Sequence, residues 1–163
     1  MVQLIPMNEE DFERWLERFI PQYGQEHVKT GRWAEIEATR LAKEEIEQAL
    51  PEGRLTKDHY FYELVIEGAE QAVGMLWFGV RRRPSGKRSA YIFNIEIDEA
   101  FRQRGYASAA FLQLEEKARE LEVDEIALQV FGHNEAARAL YTKMGYEITN
   151  IYMAKPLHSG TTF

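Results

Sequence analysis

Residues 102–107 read Arg-Gln-Arg-Gly-Tyr-Ala, set between an apolar run and a stretch of helical spacing. A strand that feeds a glycine turn at a helix N-terminus makes an anion site. Free backbone N–H groups and the positive end of the helix dipole point at the same place. Gly105 lets the backbone approach a phosphate with no Cβ in the way. Arg102 and Arg104 add charge, and a guanidinium suits forked contacts with phosphate oxygens. The chemistry predicted here is capture of a phosphorylated cofactor. Such letters recur by chance, so the surrounding elements must carry the assignment.

Residues 90–98 read as a strand, and Ala107, Ala110, Phe111, Leu114, Ala118 and Leu121 then form one apolar stripe at helical spacing. Residues 125–131 read as a buried strand. Strand 90–98, helix 106–121 and strand 125–131 make a βαβ crossover, so the two strands are predicted to be parallel. Ligands in such sheets lie beyond the carboxyl ends of the strands, where the turn at 102–107 falls. Upstream, residues 2–6 read as a short strand. Phe12, Trp15, Leu16 and Phe19 predict a helix ending near Pro21. A second helix is predicted over 31–49, with Thr39, Ala42, Ile46, Ala49 and Leu50 on one side. Residues 59–67 and 72–80 read as a hairpin turning at Glu67-Gly68-Ala69-Glu70. Downstream, Asn134 is placed to cap a helix carrying Ala137, Leu140, Tyr141 and Met144, with Gly145 just past its end. A final strand is predicted over 146–154. Asn134 and Tyr141 lie two turns apart on one face, roughly 10 Å along the axis.

Composition narrows the class. The chain has 163 residues, enough for one domain with a proper core, and no segment reads as a linker. It has no cysteine, which removes thiolate ligands and a cysteine nucleophile and fits a reducing, cytoplasmic setting. The N-terminal residues lack the layout of a signal peptide, and no apolar run is long enough to span a membrane. Net charge is −7, unfavourable for general nucleic-acid binding. The basic cluster Arg81-Arg82-Arg83 with Lys87 and Arg88 reads as a solvated hairpin loop around Pro84-Ser85-Gly86. His27, His59, His133 and His158 show no metal-ligand spacing, so no metal is expected.

Taken together, 95–107 (Ile-Glu-Ile-Asp-Glu-Ala-Phe-Arg-Gln-Arg-Gly-Tyr-Ala) and 134–146 (Asn-Glu-Ala-Ala-Arg-Ala-Leu-Tyr-Thr-Lys-Met-Gly-Tyr) resemble the two motifs of the GNAT superfamily of acetyl-CoA-dependent N-acetyltransferases. Those motifs are Arg/Gln-x-x-Gly-x-Gly/Ala after a strand and, about thirty residues on, Asn-x-x-Ala-x-x-x-Tyr-x-x-x-Gly-Phe/Tyr. The resemblance implies an α/β fold with a central mixed, mostly antiparallel sheet, a splayed parallel strand pair and flanking helices. It implies that backbone N–H groups of Gln103, Arg104, Gly105, Tyr106, Ala107 and Ser108, with Arg102 beside them, hold the coenzyme A pyrophosphate. The backbone of Ile95, Glu96 and Ile97 would pair with the pantetheine arm, Asn134 would contact it, and Tyr141 would lie near the thioester sulfur. A small-molecule or peptide amine would attack the acetyl carbonyl directly in a ternary complex.

Residue chemistry agrees with part of this. A thiolate leaving group has a pKa of about 8.5 and tyrosine about 10, so Tyr141 suits proton donation to sulfur. A lysine or polyamine nitrogen, near 10.4, must first lose a proton. The base is open. Peptide-acetylating relatives often carry glutamate where this chain has Gln129, which cannot take a proton. Glu96 is the carboxylate on the earlier strand, but strict alternation groups it with Ile92 and Asn94, opposite Tyr91, Phe93, Ile95 and Ile97; a water relay is the other route. Ala107 stands where a second glycine is commoner. The acceptor would be shaped by the region of Tyr23-Gly24-Gln25-Glu26-His27 and Trp33. Two alternatives stay open: a coenzyme A-binding sensor or scaffold without transfer activity, and a nucleotide-binding fold lacking the P-loop and dinucleotide glycine patterns. Acceptor identity and oligomeric state are not legible.

Overall fold

Alternating apolar residues over 59–66 and the apolar run after residue 72 pair as antiparallel strands, and the remaining strands extend that ladder. In the computed structural model, which describes residues 1–69 and 71–158, the sheet contains β1 (Val2–Pro6), β2 (His59–Ile66), β3 (Ala72–Arg82), β4 (Arg88–Ile97) and β5 (Glu125–Leu128) in that spatial order. Neighbours from β1 to β4 are antiparallel, and β4 and β5 are parallel. The β2–β3 hairpin forms as the sequence predicts, although Glu70 of its turn lies outside the described residues. The helices are α1 (Glu9–Lys29), α2 (Glu35–Ala49), α3 (Tyr106–Glu120) and α4 (Glu135–Lys143). The chain divides into two compact units: Met1–Asn8 with Arg54–Tyr146, and Glu9–Gly53 with the chain from Glu147.

In the first unit, one sheet face and α3 share a core. Tyr62, Leu64, Leu76, Phe78, Ala90 and Ile92 meet Ala110, Phe111 and Leu114, and Phe111 and Leu114 are wholly buried. Burying a side chain of that size contributes roughly 1.5–3 kcal/mol. This core fixes the start of α3 against the end of β4.

The ladder between β3 and β4 slips once. Trp77 faces Asn94 and Phe78 faces Ile92, which leaves Phe93 without a partner as a β-bulge. Ala90 and Ile92 point into the core before the bulge, and Ile95 and Ile97 pack against it after. Asn94, donating to Met75 Sδ at 3.2 Å, and Glu96, opposite Met75, therefore lie on the other face. This corrects the alternation read from the sequence, because one inserted residue reverses the pleat beyond it. Glu96 shares its face with Asn94 but not with Ile92.

Other boundaries also move. α1 runs through Pro21 instead of ending there. Pro21 forfeits one backbone hydrogen bond, but ring packing continues past it, with Phe19–Tyr23 centroids 5.5 Å apart and Tyr23–His27 4.5 Å apart. α2 begins at Glu35, not at 31, because the amides of Arg32 and Trp33 cap α1 by donating to the His27 carbonyl. On α2, Ala38 is buried and Thr39 exposed, so the stripe is one residue out of place. α1 and α2 approach closely at Gly24, where a Cβ would fall 2.9 Å from the Ala38 carbonyl oxygen. β5 stops at Leu128 instead of running to residue 131, its pairing with β4 ending opposite Ile92. The strand predicted over 146–154 is absent: residues 147–158 form no strand.

Candidate active site

The turn after β4 has the geometry the sequence suggests. Gly105 is the N-cap of α3 with φ of 79°, and Gln103 is also left-handed at φ of 59°. Gly105 takes this conformation without steric cost, whereas it is uncommon for a residue with a side chain such as Gln103. The Arg102 N–H donates to Glu99 and the Ala109 N–H to Gly105. Among the described residues, none of the six N–H groups of 103–108 between them donates to a backbone carbonyl. Left-handed backbone at Gln103 and Gly105 with free N–H groups at a helix start forms a concave anion nest.

The flanking arginines are tied locally. Arg102 Nε donates to the Ile97 carbonyl at 2.9 Å, anchoring the turn to β4. The Arg104 guanidinium lies 5.7 Å over the Phe101 ring. Charge thus stays beside the nest while each side chain has its own support.

β4 and β5 pair only from Ser89/Glu125 to Ile92/Leu128. Beyond that point β4 continues through Ile95, Glu96 and Ile97, paired with β3 on one edge. Its other edge has no strand partner among the described residues, and the nest lies where this open edge ends.

Asn134 caps α4, its side-chain oxygen accepting from the Ala137 N–H at 3.2 Å. The amide nitrogen of its side chain is not used in that cap. Tyr141 is half-buried, with its ring edge-on to Phe111 at 5.5 Å. Burial raises the Tyr141 pKa above its ordinary 10, so the phenol is neutral at physiological pH. Tyr146, 5.9 Å from Tyr141 between centroids, is raised further by burial and by nearby Glu115. Gln129 is exposed just past β5.

The face carrying Glu96 also holds a cluster that sequence reasoning missed. His59 Nδ1 accepts from Trp77 Nε1 at 3.0 Å, and Phe93 stacks on Trp77 at 4.5 Å. Since indole nitrogen only donates, neutral His59 carries its proton on Nε2. Burial, then the charge of Arg81, lowers the His59 pKa. Arg81 lies 3.9 Å over the Tyr91 ring, and Arg83 pairs with Glu125 at 2.7 Å, so the basic hairpin is partly built into the fold. No signal in β4 itself could have found it, because Tyr91, Ile92, Phe93 and Ile95 are all apolar.

In the second unit, residues expected to shape an acceptor site form a closed cluster. Glu45 accepts from Tyr23 at 2.8 Å and from Arg32 through two bonds, at 2.8 and 3.2 Å. Arg32 covers Trp33 at 4.6 Å. The Arg32 hydrogen bonds hold the Glu45 pKa below the usual carboxylate range, and burial with the Glu45 bond pushes Tyr23 up to about 12. Glu45 therefore stays ionised, its charge balanced by Arg32 within the cluster.

A model of the acetyltransferase (GNAT) family matches residues 12–146, and the chain belongs to that family. It is similar to two proteins of Bacillus subtilis strain 168, each described as an uncharacterized N-acetyltransferase. YdgE is 38% identical over 152 residues, covering 93% of this chain and 95% of that protein. YycN is 32% identical over 157 residues, covering 96% and 99%. The crystal structure of YycN matches with a TM-score of 0.89 over 98% of this chain and 100% of that one. A GCN5-related N-acetyltransferase from Ralstonia eutropha JMP134, 18% identical, shares the fold with a TM-score of 0.65 over 96% and 99% of the two chains. No helix among the described residues is long and apolar enough to cross a membrane.

Proposed function

We propose that this enzyme moves an acetyl group from acetyl-CoA to a primary amine, on a small molecule or a peptide, by direct attack in a ternary complex. The observation that carries the reading is the run of six N–H groups over 103–108, at the end of a strand with an open edge. Backbone donors from Gln103 to Ser108, with Arg104 beside them, would bind the pyrophosphate; Arg102 would act by holding the turn on β4. Ile95, Glu96 and Ile97 would bind the pantetheine arm along the open edge, with Asn134 contributing its amide nitrogen.

When bound, acetyl-CoA supplies the acetyl group as a thioester. A nitrogen–carbon bond forms, the carbon–sulfur bond breaks, the amine loses a proton and sulfur gains one. Tyr141, kept neutral by burial, donates a hydrogen bond, and in the limit its proton, to sulfur as charge collects there. Glu96, turned by the bulge away from the α3 core, takes the amine proton directly or through a water.

The test is acetyl-CoA-dependent thiol release across polyamines, aminoglycosides, amino acids and N-terminal peptides, with Tyr141→Phe alongside. We expect release with one amine class and a kcat lower by about 10²-fold in the variant, with KM for acetyl-CoA little changed. Absence of coenzyme A binding overturns the cofactor assignment, and binding without release from any amine overturns the transfer step for these acceptors.

A further inference from the structure

We infer that Arg81 and His59 hold a carboxylate of the acceptor, so that the amine acetylated in the reaction proposed above carries an acid group a few bonds from its nitrogen. Both side chains stand on the sheet face opposite the α3 core, the face that carries Glu96. The Arg81 guanidinium is stacked 3.9 Å over the Tyr91 ring and 4.9 Å over the Phe93 ring. Stacking fixes the plane of a guanidinium and leaves its N–H edge to donate as a fork. Among the described residues, no oxygen accepts from that edge. Arg83, Arg88, Arg102, Arg119 and Arg138 of the same unit each have an oxygen acceptor. Arg81 instead shares the pattern of Arg104 beside the nest, with a ring beneath it and no acceptor among the described residues.

His59 adds a second donor against the same ring, its centroid 5.3 Å from that of Phe93. Its Nδ1 accepts from Trp77 Nε1, which leaves the proton on Nε2. Neutral His59 then has no lone pair to spare for an amine proton and does not compete with Glu96 as base. It can only donate, and no described residue accepts from Nε2. Two such donors converge on an oxyanion, and the planar oxygen pair of a carboxylate matches the guanidinium fork.

The pair stands where an acceptor would need it. Tyr91 and Phe93 flank Ile92, where the pairing of β4 with β5 ends and the open edge begins. Glu96 lies farther along β4, roughly 10 Å from Phe93 at an extended rise. Glu96 and Glu63 both pair with Met75, one from each side, so this end of the face is acidic while the His59–Arg81 end is basic. A face with two such ends suits a zwitterion whose amine points to Glu96. Allowing a hydrogen bond of about 2.8 Å at each end leaves roughly 4–5 Å between acid carbon and nitrogen, the span of about three or four bonds. A polycation would instead meet Arg81 with like charge.

Thiol release with β-alanine and γ-aminobutyrate, each beside its carboxamide, tests this in the native chain and in Arg81→Gln. The acid-to-amide ratio of kcat/KM should fall by about 10- to 100-fold in the variant, the loss of one charge-assisted pair. Damage to folding or to coenzyme A binding would lower acid and amide alike and leave the ratio unmoved, and Arg81 is exposed. An unchanged ratio overturns the proposal. A second readout needs no turnover: the His59 Nε2–H resonance of the full chain with coenzyme A bound, titrated with γ-aminobutyrate. A saturating shift with the acid, absent with its amide and in Arg81→Gln, supports the carboxylate site; no shift, or an equal one with the amide, overturns it. A saturating shift without thiol release from any of these amines leaves the site in place and overturns the transfer step instead.

Discussion

Gly74 offers the most demanding steric test of the β3–β4 junction. A Cβ built there would lie 2.0 Å from the Glu96 carbonyl oxygen and 3.1 Å from the Ile97 Cα. Ordinary contact begins at 3.4 Å, so alanine must open the gap by about 1.4 Å. Backbone resists such a shift more than a side-chain tip does. Two ladder hydrogen bonds stretched past 3.5 Å cost about 1 kcal/mol each, and overpacking adds about 1–2 kcal/mol. Gly74→Ala should therefore cost about 3–4 kcal/mol, lowering Tm by roughly 8–12 °C for a chain of this size. Gly79→Ala is the control. Its Cβ would meet Phe93 Cε2 at 2.9 Å and the His59 ring at 3.3 Å, side-chain atoms that can move. That variant should cost about 1 kcal/mol. Thermal unfolding followed by circular dichroism reads both. If Gly74→Ala melts no lower than Gly79→Ala, the close approach of β3 to β4 beside Glu96 is wrong.

Gly105→Val places a β-branched residue at a φ of 79° and a side chain beside the nest. Calorimetry should show a stability loss of about 1–2 kcal/mol and coenzyme A affinity down by about tenfold or more; an unchanged Kd would sink the nest as the pyrophosphate site. His59 is held neutral by burial and by Arg81, so its folded pKa lies below 6.5. Its penalty is absent above that value and grows as pH falls through it, while the unfolded chain takes up the proton. The urea midpoint of the native chain should drop more between about pH 7.5 and 5.5 than that of His59→Gln. His27, also lowered by burial, keeps part of the acid sensitivity in both. Glu45 has the opposite sign: its depressed pKa stabilises the fold above the ordinary carboxylate value, and that share is lost as pH falls below it. Glu45→Gln should cost about 0.5–1 kcal/mol in urea titrations at neutral pH, discounted because both partners are over a third exposed. A gap between the two proteins that persists unchanged in acid would refute that assignment.

The elements that carry the nest were legible because their signals are local. A strand, a glycine turn and an apolar stripe at helical spacing lie within thirty residues, and Asn134 announces α4 by its capping chemistry. What failed depends on partners distant in sequence. The bulge at Phe93 exists only in the pairing with β3, so no period counted along β4 alone reveals it. Pro21 reads as a stop, but packing along α1 outweighs one lost hydrogen bond. Residues 31–34 read as the start of α2, yet their amides are spent on the end of α1. The expected strand over 146–154 was judged on propensity, and a strand is a property of two segments.

The single extra residue at Phe93 also sets how β4 tolerates change. Its two halves are out of phase, so the residues that anchor the strand to the α3 core and those on its opposite face can vary separately. Substitution at 94 or 96 leaves the α3 core untouched. Deleting one residue between 92 and 95 would instead swap the two sets, burying Asn94 or Glu96 and turning Ile95 and Ile97 outward. The face of β4 opposite the α3 core is therefore free to drift by point changes, while the strand's length is fixed to the residue.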